Sequence, residues 1–342
     1  MKILYGVQGT GNGHMTRARV MAKALAEAGI ATDYLVSGRP LDQLFDMQPF
    51  GDFFWRQGLT FAVSAGSINL WQTLKQASLR QLWRDIRSLD LSAYDLVITD
   101  FEPVTAWAAK LQGVPSLALS HQASFRYDVP KRGYNLAARI LMSGFAPASE
   151  HIGLHWHHFD QAILPPIIDI EHRSLPALKN KVVVYLPFEA LTKIETMLLS
   201  QPNTNFYCYH PAISSAKLQQ HIQWLPLSKH SFANDLADAE GVICNSGFEL
   251  PSEALFLGKK LLVKPLVGQF EQESNAATLA KLQLAQVMDT LSASSLNEFL
   301  ATPAKMPLSY PCVAAALAGW LAQQRSEPLE KVAERLWAKV SI

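Results

Sequence analysis

Two runs of alternating strand and helix signals, separated by a stretch with neither, constrain this 342-residue chain more than any other feature. The first run opens with the apolar segment Lys2 to Val7, then the glycine turn Gly9-Thr10-Gly11-Asn12-Gly13. Ala18, Met21, Ala22 and Leu25 follow at helical spacing, and Gly29 stands where a left-handed residue would close that helix. Ile30 to Val36, Leu96 to Thr99 and Ser116 to Leu119 read as further strands. A helix through Trp107 to Leu111 stops at Gly113-Val114-Pro115. Between Leu164 and Lys181 the pattern lapses, with Pro165, Pro166 and Pro176 marking a connector. It restarts with strands expected at Lys181–Leu186, Asn205–Tyr209, Ile222–Leu225, Gly241–Cys244 and Lys260–Val263. Strands alternating with helices imply βαβ units and parallel sheets, hence an α/β fold. The length exceeds what one core organises, so two domains are expected, at 1–165 and 176–324. An amphipathic helix within about 325–342 is placed back on the first.

Ligands of such sheets bind at the carboxyl ends of the strands, so two facing sheets predict a cleft lined by strand-end loops. Thirty basic against twenty-nine acidic residues leave a net charge of +1, which gives no footprint for nucleic acid. Cys208, Cys244 and Cys312 are scattered and read as free thiols in a reducing compartment. Neither a secretory signal nor a membrane-length apolar run is recognised. The expected location is cytoplasmic, with contact at the inner face of the membrane as an option.

The glycines Gly9, Gly11 and Gly13 let the backbone take positive φ and approach a ligand at a helix N-terminus. A dinucleotide reading fits poorly, because His14 stands at the third glycine position and Val36-Ser37-Gly38 offers no acid for a ribose. A phosphate-loop NTPase lacks its Lys-Ser/Thr. His14 faces whatever this turn binds, and the helix dipole opposes a positive charge there, which suits a proton acceptor. Asp100, at the end of Leu96-Val97-Ile98-Thr99-Asp100, can orient it as a base–carboxylate pair or, alternatively, cap the next helix.

The second half carries Cys244-Asn245-Ser246-Gly247-Phe248-Glu249-Leu250-Pro251-Ser252-Glu253 and then Gly268-Gln269-Phe270-Glu271-Gln272-Glu273-Ser274-Asn275-Ala276. Ser246-Gly247 turns a strand end into a helix whose free N–H groups suit a diphosphate. Glu253 stands where it can accept from ribose hydroxyls, and Glu271 and Gln272 where they can bind a sugar. In these residues the sequence resembles the GT-B glycosyltransferases, in particular the group of the bacterial peptidoglycan N-acetylglucosaminyltransferase. That group carries a Gly-Gly-Thr-Gly-Gly-His turn, matched by Gly9 to His14, then a Ser-Gly-x-x-x-x-Glu helix start and a Gln-rich segment ending Asn-Ala. The last two are matched by Ser246-Gly247, Glu253, Gln272 and Asn275-Ala276.

The resemblance implies two facing Rossmann-like domains, the first taking the acceptor and the second a nucleotide-sugar, UDP-linked in that group. It implies that Glu253 holds the ribose, Ser246 and Gly247 the phosphates, and Glu271 and Gln272 the transferred sugar, with Asn275 closing the motif. The donor is then a co-substrate and no cofactor is needed. Inverting transfer needs a base and charge stabilisation of the leaving diphosphate, assigned to His14 with Asp100 and to the Ser246-Gly247 helix start. No D-x-D occurs, so no metal is expected. The chain departs from the group at Leu186-Pro187-Phe188-Glu189, which replaces a glycine-rich turn, so the exact donor and acceptor are not carried over.

The acceptor can be a small molecule, a lipid-linked sugar or a glycan; Trp71, His121 and Gln122 are the residues nearest that role. Trp71, Leu74, Leu82, Trp83 and Ile86 share a helical face flanked by Lys75, Arg80, Arg84 and Arg87, which suits sheet packing first and an anionic membrane second. His151, His155, His157 and His158 match no metal-ligand spacing and read as a packed segment. A nucleotide-sugar epimerase or hydrolase, and a non-catalytic nucleotide-sugar binder, are the alternatives.

Overall fold

The computed structural model describes residues 1–59, 63–64, 67–68, 79–133, 135–169, 175–303 and 306–341. In the first half, β1 (Lys2–Gln8), β2 (Ala31–Ser37) and β3 (Phe54–Arg56) lie side by side, and a small antiparallel ribbon, β4 (Val63–Ser64) with β5 (Ser67–Ile68), stands apart. With β6 (Leu96–Asp100), β7 (Ser116–Ser120) and β8 (Glu150–Gly153) the sheet runs β3-β2-β1-β6-β7-β8, every pairing parallel. The second half contains β9 (Lys181–Tyr185), β10 (Asn205–Tyr209), β11 (Lys217–Gln219), β12 (Ile222–Leu225), β13 (Gly241–Asn245), β14 (Lys260–Lys264) and β15 (Gln286–Val287). Their order is β11-β12-β10-β9-β13-β14-β15, with β11 alone antiparallel among the described strands of this sheet.

Helices connect these strands: α1 (Asn12–Glu27), α2 (Leu79–Ser88), α3 (Pro103–Gln112), α4 (His121–Ser124) and α5 (Leu136–Gly144) in the first half. In the second are α6 (Leu191–Leu199), α7 (Lys229–Asp238), α8 (Glu249–Phe256), α9 (Phe270–Lys281) and α10 (Ala293–Ala301), followed by α11 (Val313–Ala322) and α12 (Leu329–Trp337). Central strands are apolar without alternation because helices cover both faces; β6, β7, β13 and β14 are buried at every position. Ala28 caps α1 and Gly29 follows at φ 69°, the left-handed conformation its position demanded.

One apolar cluster runs through both halves, joining Ile3, Tyr5 and Val7 of β1 and Met15, Ala18 and Met21 of α1 to Val242, Cys244 and Val263 of the second sheet. After the second sheet the chain returns: α11 packs on α1, and Trp337 of α12 donates from Nε1 to the Ile163 carbonyl at 2.6 Å. Among the described residues, no helix is long and apolar enough to cross a membrane.

Candidate active site

In the β1–β6 ladder Val7 pairs with Asp100, so the Asp100 carboxylate emerges beside the start of the glycine turn. None of Gly9, Gly11 and Gly13 has a positive φ, contrary to the expectation from the sequence. Space is what they provide. A Cβ on Gly9 would lie 2.9 Å from the Ser37 carbonyl oxygen, and one on Gly13 would lie 2.8 Å from Glu249 Cγ. The left-handed glycine here is Gly38, at φ 87°, just after β2.

Gly11 takes the N-cap position of α1 with no side-chain cap, which puts His14 in the first turn. His14 Nδ1 donates to Asp100 Oδ1 at 2.7 Å, leaving Nε2 as the proton-accepting nitrogen of the neutral ring. Arg17, one turn further on the same face, grips the same carboxylate. Its Nε donates to Oδ2 at 2.9 Å and its Nη2 to Oδ1 at 2.6 Å, with Nη2 3.1 Å from His14 Nδ1. The third arm, Nη1, donates to Glu249 Oε1 in the opposite half. Burial pushes the Asp100 carboxyl up, but Arg17 and then His14 outweigh it and hold it below the usual carboxylate range. Burial likewise opposes the Arg17 charge and is outweighed by Asp100, so the guanidinium is held more firmly than usual.

The capping role weighed for Asp100 falls to Glu102. Phe101 between them sits at φ 53°, a left-handed conformation that turns the two carboxylates to different tasks. Glu102 is fully buried and caps α3, accepting from Val104 N–H (2.8 Å), Thr105 N–H (2.7 Å), Thr105 Oγ1 (2.7 Å) and Ser37 Oγ (2.6 Å). Gly6 makes room for that knot, since a Cβ there would run into Thr105 and Glu102.

In the second half β13 ends at Asn245 and α8 starts after Phe248, which caps it with backbone only. A Cβ on Gly247 would meet nothing within 4 Å, so this turn opens on space. The neighbouring residues brace it from behind. Ser246 is fully buried and its Oγ donates to the Gln272 carbonyl at 2.8 Å, so the groups this turn offers to an anion are backbone N–H. Asn275 donates to the Ser246 carbonyl (3.0 Å) and accepts from His121 Nε2 (2.6 Å). Gln272 accepts from the Leu266 N–H at 3.1 Å. Glu253 is partly exposed on α8, one turn beyond Glu249.

Several of these contacts join the halves. Gln122 Nε2 donates to Glu271 Oε2 at 2.9 Å, which places Gln122 opposite a residue assigned to the sugar. His121 stacks face to face on Phe248, centroids 4.0 Å apart, and Trp156 Nε1 donates to Ser252 Oγ at 2.8 Å. Burial lowers the His121 basicity, the Glu271 charge opposing it. Trp71 lies outside the described residues. The histidine-rich stretch is packed: His155 is fully buried, and His157 and His158 stack on each other beside Trp337. Among the described residues no three His, Cys, Asp or Glu side chains converge as a metal site.

Arg17 and Glu249 were not singled out from the sequence. The spacing His14-x-x-Arg17 and an acid in the first turn of α8 are signals for them only once the two turns are known to face each other.

The sequence matches the family described as glycosyl transferase family 1 over residues 1–304. No curated protein matches it. Solved structures match along nearly the whole chain. The spinosyn forosaminyltransferase SpnP is 14% identical at a TM-score of 0.59, covering 99% of this chain and 98% of its own. MurG of Acinetobacter baumannii is 17% identical at 0.53, covering 98% and 99%. The glycosyltransferase SsfS6 of Streptomyces sp. SF2575, solved with thymidine diphosphate, is 12% identical at 0.57, covering 99% and 95%. Two largely parallel α/β sheets, a family match over most of the length and fold relatives along the whole chain lead to one conclusion: this chain belongs to glycosyl transferase family 1 and has the GT-B fold.

Proposed function

We propose that the enzyme moves a sugar from a nucleoside-diphosphate donor, UDP-linked in the first instance, to an acceptor hydroxyl with inversion and without a metal. The observation that carries this reading is the His14–Asp100 contact of 2.7 Å, set on α1 beside the first turn of α8. The acceptor hydroxyl gives its proton to His14 Nε2 while its oxygen bonds to the anomeric carbon. The bond from that carbon to the diphosphate oxygen breaks on the opposite face, and the leaving charge falls on the backbone N–H groups at Gly247 and the start of α8. Asp100 holds the imidazole through Nδ1 and balances the imidazolium as it forms.

Glu253 and Glu271 take the ribose and sugar hydroxyls in this reading; Gln122 must give up Glu271 when the sugar arrives. Ser246, Gln272 and Asn275 hold the turn in shape around the donor. The thymidine diphosphate bound by one fold relative supports a nucleoside diphosphate leaving group. The acceptor is a small-molecule, lipid-linked or glycan hydroxyl presented from the first half.

Thermal unfolding with UDP, TDP and their sugars tests the donor. A ligand at 100 times its Kd adds about 2.7 kcal/mol to stability. His14→Ala should keep that stabilisation and lose transfer; normal transfer by His14→Ala, or a preference for NAD over every nucleoside diphosphate, would overturn the proposal.

A further inference from the structure

Arg17 stands between two carboxylates of different halves. Asp100, on β6, receives its Nε and Nη2, and Glu249, on α8, receives Nη1. All three side chains are buried, Arg17 at 2% exposure and Asp100 at 0%. The approach depends on Gly13, whose missing Cβ leaves room for the Glu249 stem.

In a water-poor site the balance of charge matters more than any one contact. Two carboxylates against one guanidinium leave one net negative charge beside the neutral His14 ring. When His14 takes a proton the group becomes balanced. Without Glu249, Arg17 would already cancel Asp100, and an imidazolium formed there would be the uncompensated charge. The other titratable groups around the cluster are Tyr5, Glu271 and His121. Tyr5 stays uncharged because burial drives its hydroxyl well above its ordinary range. Glu271, held by Gln122, adds its own negative charge around Arg17, the same in the parent and in every variant at Glu249, and burial keeps His121 neutral.

We propose that Glu249, acting through Arg17, is a positioning residue of the second half that sets how much of the Asp100 negative charge reaches His14. The proposal rests on His14 as the base. It makes the base answer to the half that binds the donor: withdrawing Glu249 returns all of Arg17 to Asp100 and weakens the pull on the His14 proton.

The test needs no substrate, so it separates this inference from the transferase reading. The full chain labelled with ¹⁵N-histidine is titrated by NMR, His14 being identified by the signal missing in His14→Gln. In Glu249→Gln the His14 midpoint should fall by about one pH unit, the size expected for losing one nearby charge. In the double variant Arg17→Met/Glu249→Gln, Asp100 alone again leaves one net negative charge, and the midpoint should return to within a few tenths of the parent. An unmoved midpoint in Glu249→Gln, or a double variant further from the parent than the single one, overturns the proposal. If Glu249→Gln does not fold and the double variant does, charge balance is supported; if neither folds, the pair is structural and the proposal fails.

Discussion

Replacing Asp100 by Asn tests the centre of the site with almost no change of shape. Three donors converge on the carboxylate: His14 Nδ1 and Arg17 Nη2 on Oδ1, at 2.7 and 2.6 Å, and Arg17 Nε on Oδ2, at 2.9 Å. An amide has one acceptor oxygen. If it faces His14 and Nη2, the amide nitrogen opposes Arg17 Nε–H, two donors head to head. If it faces Nε, the nitrogen opposes Nη2 and His14, and the imidazole must move its proton to Nε2, the atom that accepts one in the proposed transfer. Each orientation gives up a charge-assisted bond and leaves a buried donor unpaired, a cost of about 2–4 kcal/mol. Glu249 still neutralises Arg17, so the loss stays short of the upper end of the roughly 3–5 kcal/mol of a fully orphaned buried charge.

Urea unfolding at pH 7 measures the stability, and transfer should fall by about a thousandfold to ten-thousandfold, as when a carboxylate that orients a histidine is lost. The pH dependence gives a second readout. Because the folded Asp100 is held below its ordinary value of 3.8, its contribution is present above that value and is lost as pH falls through the folded one. Asp100→Asn should therefore remove part of the acid destabilisation of the parent below about pH 4. A variant within about 0.5 kcal/mol of the parent, with transfer intact, would refute the reasoning.

Gly6→Ala should cost at least about 2 kcal/mol in urea unfolding, since its methyl group enters the Glu102–Thr105 knot, where backbone and capping bonds cannot yield. Trp156→Phe removes the Nε1 bond to Ser252 and also part of a fully buried indole, so a loss of about 2–4 kcal/mol at unchanged fold is expected by the same measurement. Burial, aided by Arg126, holds His151 down to about 4 in the folded chain against 6.5. Its neutral form is the one the fold favours, so its contribution is complete above pH 6.5 and lost as pH falls toward 4. His151→Gln should flatten the stability curve across that window by roughly 1–2 kcal/mol, reduced for partial exposure.

The longer strands were legible from their apolar stretches, uninterrupted where helices bury both faces and broken by polar residues in β2 and β12; β1, β2, β6, β7, β9, β10, β12, β13 and β14 lie where those stretches predict. The edge strands β3, β8, β11 and β15 span two to four residues, too short for any periodicity to register, and β8 takes its residues from the histidine-rich stretch. Glycine at 9, 11 and 13 was legible as a close approach, but the identity of what approaches was not: Glu249 lies more than two hundred residues away, and no local rule links it to Gly13. The assignment of Asp100 and Glu102 turned on Phe101, whose left-handed φ no propensity for phenylalanine would suggest. Ser246 and Asn275 read as ligand groups from their motif; in the structure Ser246 Oγ holds the Gln272 carbonyl, and Asn275 joins the Ser246 carbonyl to His121 of the first half.

The return of the chain through α11 has a mechanical consequence. The two halves are joined by two strands of covalent chain, one leaving the first sheet after β8 and one coming back to α1 after α10. Helix α1 is gripped by α11 and reaches α8 through Gly13 and Arg17, with His14 in its first turn. A swing that parted the halves would have to break the Arg17–Glu249 and Gln122–Glu271 contacts and open the shared apolar cluster, so these crossings hold His14 and the turn at Gly247 in one frame.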